Sequence, residues 1–199
     1  QKKYSKDMSV TNIMSVDLED YYCDLPFSEW SKYDSRVVKN TEKILELFEK
    51  YNVKSTFFVL GYIAEKFPKL IKKISNLGHE ISSHTYSHID LRKVSKEEFE
   101  KDFFKSKNIL EKITGKKVEG FRAPFFSINK NNYWVFEILS KNLTYDSSIF
   151  PVKTQLYGIP KAPRIIYKPS LENIIEENKQ GKLIEIPMAT HKIPLIGNI

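Results

Sequence analysis

Cysteine occurs once in these 199 residues, at Cys23, and histidine only four times. A lone cysteine excludes an internal disulfide and a structural zinc site built from thiolates. It fits a reducing compartment, so a cytoplasmic setting, extending to the membrane face, is the expectation. The chain starts at Gln1, and secretion therefore stays open. No apolar run approaches the roughly 18 residues of a membrane span, so no transmembrane segment is expected. No basic start followed by an apolar stretch and a small-residue cleavage site is visible. Low-complexity tracts, internal repeats and linkers are lacking too. Residues 1–199 thus read as a single domain, long enough to bury a sizeable core.

Hydrophobic residues make up 41% of the chain and aromatics 13%, which fits a globular protein and excludes a disordered one. The net charge of +7 raises the question of nucleic acid. The lysines are scattered, however: Lys39, Lys43 and Lys50 share one helical segment, Lys101, Lys105, Lys107 and Lys112 another, each mixed with glutamates. No stripe of basic and aromatic residues is present, and no nucleic-acid partner is expected.

Strand and helix patterns alternate. Asn12–Asp17, Ser55–Leu60, His79–Ser82, Val118–Arg122, Leu143–Asp146 and Leu183–Thr190 read as strands. Helices are expected from Asp34 or Ser35, over Lys69–Asn76, Lys96–Thr114, Asn129–Ser140 and Ser170–Lys179. The third of these is the clearest, with Ser95 and Glu98 as a capping box and Gly115 as its stop. Residues Pro151–Pro169 are punctuated by proline and read as irregular. The alternation predicts parallel βα units, whose chemistry gathers at the carboxyl ends of strands. Asp17, His84, Arg122, Asp146 and His191 all fall at such ends.

His84 and His88 are four residues apart just after a strand, and the acidic run Asp17-Leu18-Glu19-Asp20 leaves another. Two imidazoles and a carboxylate are a suitable donor set for a divalent metal. Cys23 lies close to the acidic run, but no His or Asn pattern marks it as a nucleophile. His79 sits at the start of a strand, the wrong end for catalysis, and is expected to be a structural hydrogen-bonder.

In order along the chain, these segments resemble the polysaccharide deacetylase family with the NodB homology domain, carbohydrate esterase family 4. The resemblance is carried by Ser15-Val16-Asp17-Leu18-Glu19-Asp20, Lys54-Ser55-Thr56-Phe57-Phe58-Val59-Leu60-Gly61, His84-Thr85-Tyr86-Ser87-His88 and Gly120-Phe121-Arg122-Ala123-Pro124-Phe125. Tyr145-Asp146-Ser147-Ser148 and Gly158-Ile159-Pro160 resemble a subgroup tied to exopolysaccharide synthesis. The resemblance runs from about Asn12 to His191. It implies an α/β fold, a deformed (β/α) barrel of about seven strands, with further sequence after Ile199. It implies metal-dependent removal of N-acetyl groups from N-acetylhexosamine units of a polysaccharide or lipid-linked saccharide.

The resemblance also implies roles. Asp17 would be the general base, held by Arg122. Asp20, His84 and His88 would bind the metal, zinc by expectation. The family's paired aspartates are here split by Leu18 and Glu19, so Glu19 is the alternative third ligand and Asp20 the favoured one. His191 would protonate the leaving amine, and Asp146 would orient it or close a turn. Tyr22, Pro124 and Phe125 are the expected sugar contacts. The chemistry agrees: the metal would acidify water and polarise an amide carbonyl, and a carboxylate would take the proton. Hydrolysis of another C–N bond, by a deformylase or cyclic amidase, and a non-catalytic carbohydrate-binding module are the alternative functions.

Overall fold

Six short strands form one parallel sheet in the order of the sequence. A computed structural model describes residues 12–193 and 197–198. The strands are β1 (Ser15–Leu18), β2 (Thr56–Val59), β3 (Glu80–Ser83), β4 (Gly120–Phe121), β5 (Tyr145–Asp146) and β6 (Ile184–Glu185). Every neighbouring pair is parallel. A separate antiparallel pair joins β7 (Lys192–Ile193) to β8 (Gly197–Asn198).

The crossovers carry α1 (Val37–Lys50), α2 (Gly61–Lys66), α3 (Pro68–Asn76), α4 (Lys96–Thr114) and α5 (Trp134–Asn142). Helix α4 has the expected capping box, with Glu98 N–H donating to Ser95 Oγ and Ser95 N–H to Glu98 Oε2. Gly115 closes it in the left-handed conformation at φ 73°. The buried face of α4, Phe99, Phe103, Ser106 and Leu110, packs toward the sheet, where Phe99 and Phe103 meet Phe121. Gly61 permits the close approach of α2 to α4: a Cβ there would lie 2.9 Å from Ser106 Cα and 2.8 Å from the Tyr86 ring.

Two segments depart from the expected pattern. Ser170–Lys179 is not a helix. Its chain folds back through a Pro169–Glu177 bridge and a bond from Ser170 N–H to Glu176 O. Ile174 is its one fully buried apolar residue and Leu171 is exposed, so no helical stripe is available to bury. Helix α5 starts at Trp134 because Asn129 and Asn132 tie up the preceding backbone with side-chain bonds to Asn131 N–H and Asn129 N–H, a competing local structure that asparagine favours. The last expected strand, Leu183–Thr190, is reduced to β6, and His191 lies outside it in a segment with no regular structure.

Candidate active site

The carboxyl ends of β1, β3 and β4 open onto a cavity of about 390 Å³. Asp17, Glu19, His84, His88 and Ala123 line it, with Asp24, Arg92, Phe125, Phe126, Leu156 and Tyr157 on the remaining walls. One ligand atom from each of Glu19, His84 and His88 lies within 4.8 Å of the other two.

The histidine tautomers follow from their neighbours. His84 Nδ1 lies 2.7 Å from the Arg122 carbonyl and His88 Nδ1 lies 3.0 Å from the Cys23 carbonyl. A carbonyl oxygen only accepts, so both Nδ1 atoms carry a proton, and in the neutral rings both Nε2 atoms present lone pairs. Glu19 Oε2 sits 2.9 Å from His88 Nε2 yet is buried with no aligned donor. Three electron-pair donors therefore face one another, an arrangement that a cation satisfies. Burial pushes the His84 imidazole below its ordinary pKa, which keeps it neutral. Burial acts the same way on His88, but contact with Glu19 outweighs it and raises the pKa.

The ligand loop is clamped from two sides. Gly61 N–H and Tyr62 N–H, at the start of α2, donate to the carbonyls of Thr85 and Tyr86. From α4, the Asp102 carboxylate accepts from Tyr86 N–H (2.5 Å), Ser87 N–H (3.2 Å) and Ser87 Oγ–H (2.5 Å). Asp102 is a site residue that sequence reasoning missed. The signal was its place on the buried side of α4, among apolar neighbours. Thr85 (φ 68°), His88 (φ 54°), Phe125 (φ 57°) and Phe126 (φ 46°) are held in the left-handed region, a conformation that non-glycine residues adopt at a cost. All four belong to the two loops that frame the cavity.

Asp17 and Arg122 meet as expected. Arg122 Nη1 donates to Asp17 Oδ1 at 2.7 Å and to Ser15 Oγ at 3.1 Å. Its Nε and Nη2 donate to the carbonyl and hydroxyl of Ser147, and its guanidinium lies 4.1 Å from the centre of the Phe58 ring. The guanidinium is thus fixed on three sides and aims one edge at Asp17.

Other expectations require correction. Asp20 is directed away from the histidines. Its carboxylate accepts from Ser35 Oγ–H and from the backbone N–H groups of Arg36 and Val37, so it binds the unpaired donors at the start of α1. Glu19 stands where Asp20 was expected. His191 is exposed and does not line the cavity. Of the two expectations for Asp146 the turn is the one seen: it is fully buried and accepts from Ser148 N–H and Oγ–H, and it meets no histidine among the described residues. Tyr22 is fully buried among Tyr21, Trp30 and Tyr33, and Pro124 is buried while its neighbours Ala123 and Phe125 reach the cavity. Cys23 is also buried, its thiol pushed up to about 12 by burial, which removes it as a nucleophile. His79 is structural, its Nδ1 accepting from Ser55 N–H.

The family model described as polysaccharide deacetylase matches residues 28–140, more than half of the chain. The chain belongs to the polysaccharide deacetylase family. A peptidoglycan-N-acetylglucosamine deacetylase of Bacillus cereus is 43% identical over 98 residues, 49% of this chain and 36% of that protein. The chain thus corresponds to about a third of that relative's length. A solved structure named as a polysaccharide deacetylase of Mycobacterium smegmatis superposes with a TM-score of 0.67 at 22% identity, covering 89% of this chain and 58% of that one. An allantoinase structure gives 0.58 at 19% identity over 84% of this chain and 45% of that one. These two matches establish the shared fold, the NodB-type deformed α/β barrel.

Proposed function

We propose that this polysaccharide deacetylase domain is a divalent-metal-dependent N-deacetylase acting on N-acetylhexosamine units of a saccharide polymer or lipid-linked saccharide. The observation that carries the reading is the convergence of Glu19, His84 and His88 beside an arginine-bound aspartate in one cavity. The substrate class draws support from the Bacillus cereus relative, which is named for N-acetylglucosamine in peptidoglycan.

Glu19, His84 and His88 would hold the cation, with zinc the best match to a two-imidazole, one-carboxylate set. When bound, it supplies Lewis acidity to water and to the amide carbonyl. Asp17 removes a proton from the attacking water, and Arg122 fixes the direction of its carboxylate. The C–N bond then breaks, the acetyl group leaves as acetate, and the nitrogen needs a proton. His191 lies outside the cavity, so the protonated Asp17 is the group placed to return it. One carboxyl group serves both proton transfers.

The protein dialysed against chelator and reloaded with zinc is expected to release acetate from acetylated chito-oligosaccharide or peptidoglycan. The chelated protein and His84→Ala are expected to release none. Absence of acetate release from every amino-sugar polymer, with metal content confirmed at one ion per chain, overturns the reading.

A further inference from the structure

A second cavity lies apart from the catalytic one and shares no lining residue with it. It holds about 430 Å³ between α1 and the turn that joins α2 to α3. Val38 and Glu42 line one side, and residues 66–70 with Lys73 line the other. Its floor is apolar: Leu70 is buried, and Val38 and Phe67 are half-buried against the core. Its rim carries three exposed lysines, Lys66, Lys69 and Lys73. A concave, largely apolar space with a few convergent polar groups is the ordinary form of a small-ligand site.

The lysines are not equivalent. Lys73 Nζ lies 3.3 Å from Glu42 Oε1, so that pair is neutral overall. Lys66 and Lys69 have no carboxylate partner among the described residues. The first turn of α3 supplies no acidic residue either. Lys66 Nζ lies 5.6 Å from the centre of the Phe67 ring and 5.7 Å from that of Tyr62, contacts that leave its charge uncompensated. Two such charges beside an apolar floor favour a ligand of the inverse pattern, an apolar body with a doubly negative head. The floor also decides how that ligand is met. Among the apolar lining residues only Pro68 is exposed, so the cavity has little to insert into a bilayer. The ligand's chain enters the protein, and the protein does not enter a membrane.

We infer that this cavity binds a single-chain alkyl phosphate monoester as a monomer, with the chain on the floor of Val38, Phe67 and Leu70 and the phosphate between Lys66 and Lys69. A phosphate monoester carries a charge of about −1.5 to −2 at neutral pH, which matches two ammonium groups, whereas a carboxylate neutralises only one. Lysine meets phosphate as a point charge and needs no planar fork to do so. The site is independent of the deacetylase reading and stands whether or not that reading holds.

The test titrates decyl phosphate, below the concentration at which it forms micelles, into the full chain and follows the backbone amides by NMR. Saturable shifts are expected at Val38, Glu42, Phe67, Lys69 and Leu70. Inorganic phosphate and decyl maltoside, which each lack one half of the ligand, are expected to bind about tenfold more weakly. The double variant Lys66→Gln/Lys69→Gln, at two exposed positions where the fold stays intact, is expected to weaken decyl phosphate about tenfold and leave decyl maltoside unchanged. Shifts that gather at His84 and His88 instead, equal affinity for decyl maltoside, or undiminished affinity in the double variant overturn the site. Binding to phosphatidylglycerol vesicles without binding to monomeric decyl phosphate overturns it as well, and assigns the lysines to a membrane surface.

Discussion

Two pairs of carboxylates stand at the carboxyl edge of the same sheet, and the pairs have opposite characters. Asp17 and Glu19 leave β1 into a cavity, where an arginine and two histidines meet them. Asp146 and Glu185 are register partners on β5 and β6 and are fully buried. Burial raises both of their pKa values, that of Glu185 well above the ordinary carboxylate range; Asp146 raises Glu185 further, while the contact with Glu185 draws Asp146 back down. Glu185 Oε1 accepts from Ile149 N–H, while Oε2 has no partner among the described residues. Position at a strand end is therefore not enough to make a carboxylate reactive. Access to the cavity and a fixed counter-charge separate the first group from the second.

The comparison can be broken from either side. Asp17→Asn retains the shape of the site but removes its base, and acetate release is expected to fall about 10²- to 10⁴-fold with metal content unchanged. Glu19→Gln and Asp20→Ala separate the two adjacent acids. Glu19→Gln is expected to weaken metal binding about 10- to 100-fold in competition with a chelator, whereas Asp20→Ala leaves it unaltered and costs about 1 kcal/mol of unfolding free energy through α1. Asp102→Asn, which disturbs the clamp on the ligand loop, is expected to cost about tenfold in metal affinity. Equal metal affinity in Glu19→Gln and wild type would merge the two carboxylates' roles.

The buried pair predicts a pH dependence of stability. A carboxyl group with a raised folded pKa binds more protons folded than unfolded. Its contribution is fully present below the ordinary carboxylate range and is lost as pH rises through the folded pKa. Glu185→Gln removes that loss, so its urea midpoint is expected to vary less with pH than the wild-type midpoint and to exceed it in alkaline solution. A parallel pair of pH profiles would show that the pair carries no shared proton. The smallest effect is expected at His191→Ala, with acetate release within about twofold of wild type, in keeping with a surface site.

The first half of the chain was legible because its signals are local. Helix α4 announces itself through Ser95, Glu98 and Gly115, and β2 and β3 through short buried runs. The choice between Glu19 and Asp20 was readable as well, by a signal that was not used. Side chains along an extended strand alternate, so Asp17 and Glu19 project to one side while Leu18 and Asp20 project to the other. The motif-based expectation of Asp20 lost to this alternation and to the open N–H groups of α1. The second half resisted reading because its strands are two residues long, too short for periodicity. The segment Pro151–Pro169 takes its order from side-chain and main-chain bonds with distant partners such as Arg92. The Asp146–Glu185 pairing likewise depends on strand register between segments some 40 residues apart.

Arg122 joins the two halves of the site through different parts of itself. Its guanidinium holds Asp17, and its main-chain carbonyl accepts from His84 Nδ1. Substitution reaches the first and cannot delete the second, since every residue type carries a carbonyl. Under the function proposed above, a change at position 122 is therefore expected to release Asp17 while leaving the His84 ring oriented.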